Sequence, residues 1–200
     1  EACKIEIDLI GKPIGKQDQY AAAFGGIIQL EIDRLGRVTV NPVNINQETI
    51  YELENRLLMF YTKIQRDANN ILKEQSQKAS DNIESAIQAM HQIKEIGVEI
   101  HKTLVTGNIN LFGKLLDEHW HIKKTISTRM SDPNIDKWYE IGMKNGALGG
   151  KIMGAGGGGF LLFCVRNGER KKLRSIMEKE GLKYMDFRFD FEGVKTMANF

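Results

Sequence analysis

The chain has 200 residues, 42% hydrophobic and 27% charged, ordinary proportions for a water-soluble protein with length for one large domain or two small ones. Its 28 basic and 26 acidic residues leave a net charge of +2, too balanced to point to nucleic acid as a partner. No apolar run approaches a membrane span and no signal-peptide pattern opens the sequence, so neither a membrane nor an export route is expected. Cys3 and Cys164 are far apart, which argues against a disulfide framework and for a reducing cytoplasm, each thiol being a small buried apolar group.

The opening EACKIEIDLIG has no initial methionine and reads as the middle of a longer sequence. Gln17 to Phe24 (QDQYAAAF) predicts a short alanine-rich helix stopped by Gly25-Gly26. Ile27–Ile32 and Arg37–Val43 predict two strands joined through DRLGR as a hairpin, with Pro42 marking the end of the second. LLMFYTK predicts one more strand. Helical spacing then takes over, with Ile83, Ile87, Met90, Ile93, Ile96, Ile100 and Leu104 on one face. Asp81 is placed to cap that helix, with Glu84 in capping-box position, and Gly107 ends it. Ile109, Phe112, Leu115, Leu116, Ile122 and Ile126 mark a second helix, and Asp132-Pro133 starts a third that Gly146 stops.

The last fifty residues change character. LGGKIM leads into the glycine run GAGGGG, then the strand pattern FLLFCV and the helix GERKKLRSIMEKEG, ended by Gly181. KYMDFRFDFEG alternates, with Met185, Phe187, Phe189 and Phe191 against Asp186, Arg188 and Asp190, the pattern of a half-buried strand. This order predicts an α+β fold with helices on one face of an antiparallel sheet, and a boundary near residues 45–56.

The glycine run formally contains G-x-G-x-x-G, but a strand pattern follows it where a dinucleotide fingerprint needs a helix. GKPIGKQ at Gly11–Gln17 falls short of a phosphate loop by one residue and lacks the hydroxyl at its end. What remains is a glycine loop between two strands. It is either a tight connection packed on its surroundings or a bare backbone whose N–H groups can approach an anion.

GKQDQY, at Gly15–Tyr20, puts a cation, an acid and two amides in four residues, Lys16 to Gln19. Asp18 at a helix start is either an N-cap or a reactive acid, held ionised by the helix N-terminus and Lys16. A carboxylate among amides suits a polyhydroxyl substrate and the orienting of one hydroxyl for attack.

GKPIGKQDQYAAAFGG, LLMFYT and SDPNIDKWYEIGMKNGALGGKIMGAGGGGF resemble the GHMP kinases, in particular the sugar-1-kinase branch and the bacterial D-glycero-D-manno-heptose 7-phosphate kinases. The resemblance runs over nearly the whole chain, and kinases for fucose, galactose and mevalonate-type alcohols share much of it. It implies the end of a ribosomal-protein-S5-like N-terminal domain at 1–50 and a ferredoxin-like C-terminal domain with added helices at 51–200. It implies an ATP-dependent phosphotransferase acting on the anomeric C1 hydroxyl of a heptose 7-phosphate. Asp18 carries over as general base or as a fixed charge beside the attacking hydroxyl. Gln17 and Gln19 would hold the sugar, with Lys16 either neutralising charge or solvated. Gly154, Ala155, Gly156, Gly157, Gly158 and Gly159 would lie at the cleft near substrate and phosphates, where a bare backbone lets two domains close.

The resemblance also marks what the sequence lacks. The ATP phosphate loop of the family and the residues expected to hold Mg²⁺ do not occur in it, so no metal ligand is named here. The expectation is a C-terminal portion of a kinase, inactive by itself, with the missing N-terminal portion as a possible partner, or an inactive interaction module. His91, His101, His119 and His121 have no metal-ligand spacing. Lys123 and Lys124 in HWHIKK either clamp a substrate phosphate or form a solvated basic face. Trp120, Trp138 and Tyr139 are expected in the core or at a domain interface. KKLR at Lys171–Arg174 is expected to be a helix face in water.

Overall fold

In the computed structural model, residues 1–65, 68–81, 83–127 and 130–195 are described. They fall into two units, Glu1–Asn44 with the segment from Arg188, and Ile45–Phe187.

The first unit begins with a π-helical turn, Lys4–Leu9, followed by helix α1 (Gln17–Phe24) and the antiparallel hairpin β1 (Ile28–Ile32) and β2 (Val38–Pro42). The hairpin turn is built as its residues dictate. The Asp33 carboxylate accepts from the Leu35 and Arg37 amides (2.8 and 2.9 Å) and from the Arg37 guanidinium (2.6 Å), and Gly36 takes φ 75°. Gly25, at φ 68°, ends α1. The Gly26 amide donates to the Asp190 carbonyl (2.5 Å) and the Val194 amide to Ala23 (3.2 Å), which ties the returning segment to α1.

The second unit runs α2 (Gln47–Arg56), β3 (Leu57–Tyr61), α3 (Ala68–Ser80), α4 (Glu84–Thr106), α5 (Ile109–Ile126), α6 (Pro133–Lys144), β4 (Ala147–Ile152), β5 (Phe160–Val165), α7 (Arg170–Lys179) and β6 (Lys183–Met185). The strands form one antiparallel sheet in the order β4-β5-β3-β6, a β-α-β-β-α-β path with helices inserted after β3. Caps set several ends. Asn46 accepts from the Thr49 amide (2.7 Å), Asn108 from Leu111 (3.1 Å) and Asp132 from Asn134 (2.9 Å), with Pro133 in the first turn of α6. Gly107, left-handed at φ 72°, closes α4.

Leu58, Phe60, Leu161 and Phe163 share one face of the sheet and are fully buried with Ile135, Leu173 and Met177. Gly142 of α6 lies against the Phe163 ring, so close that a Cβ there would overlap it. Gly113 of α5 instead lies over the Cys164 sulfur, on the opposite side of β5. Helices therefore cover both faces of the sheet and not one, because α5 reaches the far face where Gly113 and Gly149 leave room.

Two further expectations need correction. Asp81 does not cap α4. It closes an unforeseen helix, α3, through its amide to Gln77 (2.8 Å), and α4 starts from Ile83 with no side-chain cap. The strand foreseen over KYMDFRFDFEG is only Lys183–Met185. Beyond Met185 the Leu57 carbonyl at the start of β3 is taken by the Arg170 guanidinium (2.9 Å), which also takes the α2 carbonyls of Glu54 (2.8 Å) and Asn55 (3.0 Å). The foreseen alternation in exposure survives through Asp190 without a ladder.

Gly97 sits exposed inside α4 with open space around it. Gly97→Ala is expected to stabilise the protein by roughly 0.5–1 kcal/mol, read as a raised denaturant midpoint at unchanged slope.

Candidate active site

In the first unit, α1 starts at Gln17 with Lys16 in the capping position and no side-chain cap bond. Asp18 therefore lies in the first helical turn and is not the N-cap. Its carboxylate is exposed and makes no hydrogen bond or ion pair among the described residues. The Lys16 ammonium donates to the Gly36 carbonyl (2.6 Å) and braces the hairpin turn. Gln17 is exposed beside Gly15. The Gln19 amide nitrogen reaches Glu6 (3.3 Å), or in the turned orientation the carbonyls of Gly15 (3.3 Å) and Lys16 (3.1 Å).

In the second unit, Gly154–Gly159 form most of the turn between β4 and β5. Gly154, Gly156, Gly157 and Gly159 take φ of 71°, 105°, 74° and 81°, conformations that side chains resist. A Cβ on Gly158 would meet the Ile64 carbonyl at 2.5 Å. Two loop amides are used internally, Gly157 donating to Met130 (2.7 Å) and Gly159 to Ile64 (2.9 Å). Gly159 in turn accepts from the amide and the hydroxyl of Thr62 (both 2.9 Å). The amides of Gly154, Ala155, Gly156 and Gly158 donate to no acceptor among the described residues. A recess of about 360 Å³ opens here, lined by Ile64, Gln65, Met153 and four loop residues.

The backbone conformation and packing of the run require glycine, and four of its six amides donate to no acceptor among the described residues.

The adjacent lysines of HWHIKK part company. Lys124 is held by Asp136 (3.1 Å) and lies over the Trp120 ring (5.7 Å). Lys123, on another side of α5, donates to the Gly154 carbonyl at the start of the loop (2.6 Å). It shares its surroundings with Lys151 of β4 and with His119. Burial, then the Lys151 and Lys123 charges, push His119 down to about 3, so its imidazole is neutral at pH 7. Burial, then Lys123, push Lys151 down to about 8, and burial lowers Lys123. Lys151 was not foreseen from sequence, although a lysine inside a strand and three residues before a glycine run is a readable signal.

Neighbouring groups hold this corner rigid. The buried Tyr139 hydroxyl donates to the Asp117 carboxylate (2.6 Å) and accepts from the Gly150 amide (3.2 Å), and burial followed by Asp117 raises its pKa. Trp120 and Tyr139 are core residues, as foreseen, with rings 6.3 Å apart.

Residues 100–183 match the family described as GHMP kinases C terminal. The chain carries a GHMP kinase C-terminal domain. That GHMP domain contains the glycine loop, His119, Lys123 and Lys151, whereas Asp18 lies outside its bounds. Over 195 residues the chain is 36% identical to D-glycero-alpha-D-manno-heptose 7-phosphate kinase of Campylobacter jejuni, covering 98% of this chain and 57% of that protein. The solved structure of a D-glycero-D-manno-heptose 1-phosphate kinase from Bacteroides thetaiotaomicron aligns with TM-score 0.72 at 27% identity, over 98% of this chain and 54% of that one. Lactococcus lactis galactokinase complexed with galactose aligns with TM-score 0.65 at 19% identity, over 96% and 59%, a likeness of fold. The chain spans little more than half the length of the heptose kinases it matches.

The His119 environment carries a pH prediction. Its folded-state pKa, about 3, lies below the ordinary 6.5. Between these values the unfolded chain binds more protons, so stability is fully present above pH 6.5 and falls as pH falls toward 3. Acid titration followed by circular dichroism is expected to show His119→Gln losing less stability across that window than the parent.

Proposed function

We propose that this chain serves an ATP-dependent sugar kinase that phosphorylates the anomeric C1 hydroxyl of D-glycero-D-manno-heptose 7-phosphate. The observation that carries the reading is 36% identity to the Campylobacter jejuni heptose 7-phosphate kinase along 98% of the chain, through both units. On this reading the first unit, Asp18 included, is the end of an S5-like N-terminal domain, and the second is a ferredoxin-like GHMP domain.

Phosphoryl transfer to an alcohol has a loose transition state, so positioning and charge placement dominate over strong base catalysis. The exposed and unpartnered Asp18 carboxylate suits it to accept the proton of the attacking hydroxyl, or to orient that hydroxyl by a hydrogen bond. Gln17 and Gln19 contribute amide donors for sugar hydroxyls beside it. Lys16 acts by bracing the hairpin turn. The free amides of Gly154, Ala155, Gly156 and Gly158 form a cradle for a phosphate oxygen without a side chain in the way.

ATP is the phosphoryl donor. Among the described residues no group of three or more His, Cys, Asp or Glu gathers, and no step here runs through Mg²⁺. No described helix is long and apolar enough to cross a membrane.

The test is a coupled assay of ADP release by the purified protein, together with whatever polypeptide co-purifies, offered heptose 7-phosphate, fucose, galactose and mevalonate in turn. Heptose 7-phosphate is expected to give the highest kcat/KM. Preference for fucose would instead support a second reading, favoured by 27% identity to the bifunctional fucokinase/GDP-fucose pyrophosphorylase of Arabidopsis thaliana. No turnover with any of the four would leave an inactive interaction module.

A further inference from the structure

Many of the lysines, Lys78, Lys124 and Lys137 among them, meet a carboxylate. Lys123 and Lys151 meet none among the described residues, and they differ from other lysines without one, such as the exposed Lys94 and Lys114. Lys123 has one protein partner, the Gly154 carbonyl, and Lys151 forms no hydrogen bond or ion pair among the described residues. Both are part-buried, one on α5 and one on β4, where those elements pack on each other. His119, one turn before Lys123, has a buried Nδ1 with no partner among the described residues. Two part-buried cations thus stand on elements that pack together, Lys151 on the same face of β4 as Gly149, which lies against α5. That arrangement is unfavourable unless an anion completes it. The glycine loop begins at the same point and carries four free amides, a second set of anion donors.

We infer that Lys123 and Lys151 anchor a binding site for a phosphomonoester dianion at the mouth of the Gly154–Gly159 loop. A dianion supplies three oxygens and enough charge to answer two ammonium groups. A neutral sugar hydroxyl supplies neither, so the site selects a phosphorylated ligand. His119, held neutral, adds no third charge and leaves its ring as a wall or a single donor. The phosphate has two sources, the acceptor's own phosphate group or the nucleotide. Assigning it to the acceptor rests on the kinase reading above, while the existence of the site does not.

The test reads the lysines directly. At pH 8 about half of the Lys151 side chains are neutral, against well under 1% for an ordinary lysine. Trace acetic anhydride followed by peptide mass spectrometry is expected to label Lys151 roughly tenfold faster than Lys171 or Lys144, its lower basicity offsetting part of the gain in neutral amine. Inorganic phosphate, against chloride at matched ionic strength, is expected to slow labelling of Lys151 and Lys123 at least threefold and leave Lys171 unchanged. Lys123→Gln is expected to abolish that protection at Lys151. Heptose 7-phosphate and ATP are then compared. Protection at lower concentration by the sugar phosphate places the acceptor's phosphate there, and protection at lower concentration by ATP places the nucleotide's. Protection by inorganic phosphate alone marks an adventitious ion only and overturns the proposal, as does equal labelling with and without phosphate. Failure of the kinase reading looks different: Lys151 is still protected by a phosphorylated ligand, but no ADP appears with any sugar.

Discussion

Asp18→Asn is expected to lower heptose 7-phosphate-dependent ADP formation by roughly 10²–10⁴-fold, with the fold intact. The carboxylate is exposed and makes no hydrogen bond or ion pair among the described residues, so amidation breaks no described contact. The prediction is therefore a loss of kcat with a melting temperature within a few degrees of the parent. KM for the sugar should change little if the group acts mainly on the attacking hydroxyl in the transition state. A base and a fixed charge differ in their pH profiles: the acidic limb of kcat/KM follows the carboxylate in the parent and vanishes in Asp18→Asn only when proton acceptance matters. A drop of less than tenfold would remove Asp18 from the reacting centre.

Gly149→Ala should be the most damaging conservative change in the second unit. A Cβ at this position would overlap the Gly113 carbonyl and stand 2.7 Å from the Asp117 amide and 2.9 Å from the Asp117 Cβ. All three are backbone or backbone-adjacent atoms of α5, which cannot swing aside as a side-chain tip can. Relief requires α5 to lift from β4 and disturbs the Tyr139–Asp117 bond (2.6 Å) at the same place. The expected cost is about 3 kcal/mol or more, a fall in melting temperature of about 10 °C for a unit of this size. Calorimetry of the variant beside Gly97→Ala separates the contact from any general effect of glycine replacement, since the two changes should move stability in opposite directions.

Local signals in the sequence were legible where they acted locally. Asp132-Pro133 announced α6, the DRLGR turn announced the first hairpin, and Gly107 and Gly181 marked ends that the structure keeps. α3 was missed because ANNILKEQSQKAS has few apolar positions from which to read a period, and with no helix expected there Asp81 was assigned to the next one. The short β6 was illegible for a different reason. Its alternation is real, but where its ladder stops, the Leu57 carbonyl of β3 is taken by Arg170, a side chain on another element that the local pattern does not show.

The candidate functional residues show the same division. GKQDQY and the glycine run stand out as strings, and the resemblance they carry gave the family. Lys123 and Lys124 are neighbours in sequence and cannot be told apart there. They separate only when α5 is laid on β4, so that one points to Asp136 and the other to Gly154. Lys151 acquires its altered basicity from that same packing.

The sheet order also bears on how the protein is made. β3 pairs with β5 and β6, and about 100 residues separate Tyr61 from Phe160. During synthesis at roughly 5–20 residues per second, the apolar segment LLMFY leaves the ribosome about 5–20 s before its first partner strand exists. The hairpin of α4 and α5, formed from contiguous sequence, can assemble in that interval. The nascent chain thus carries an unpaired β-forming segment beside finished helices, and conditions that slow elongation lengthen its exposure to other chains.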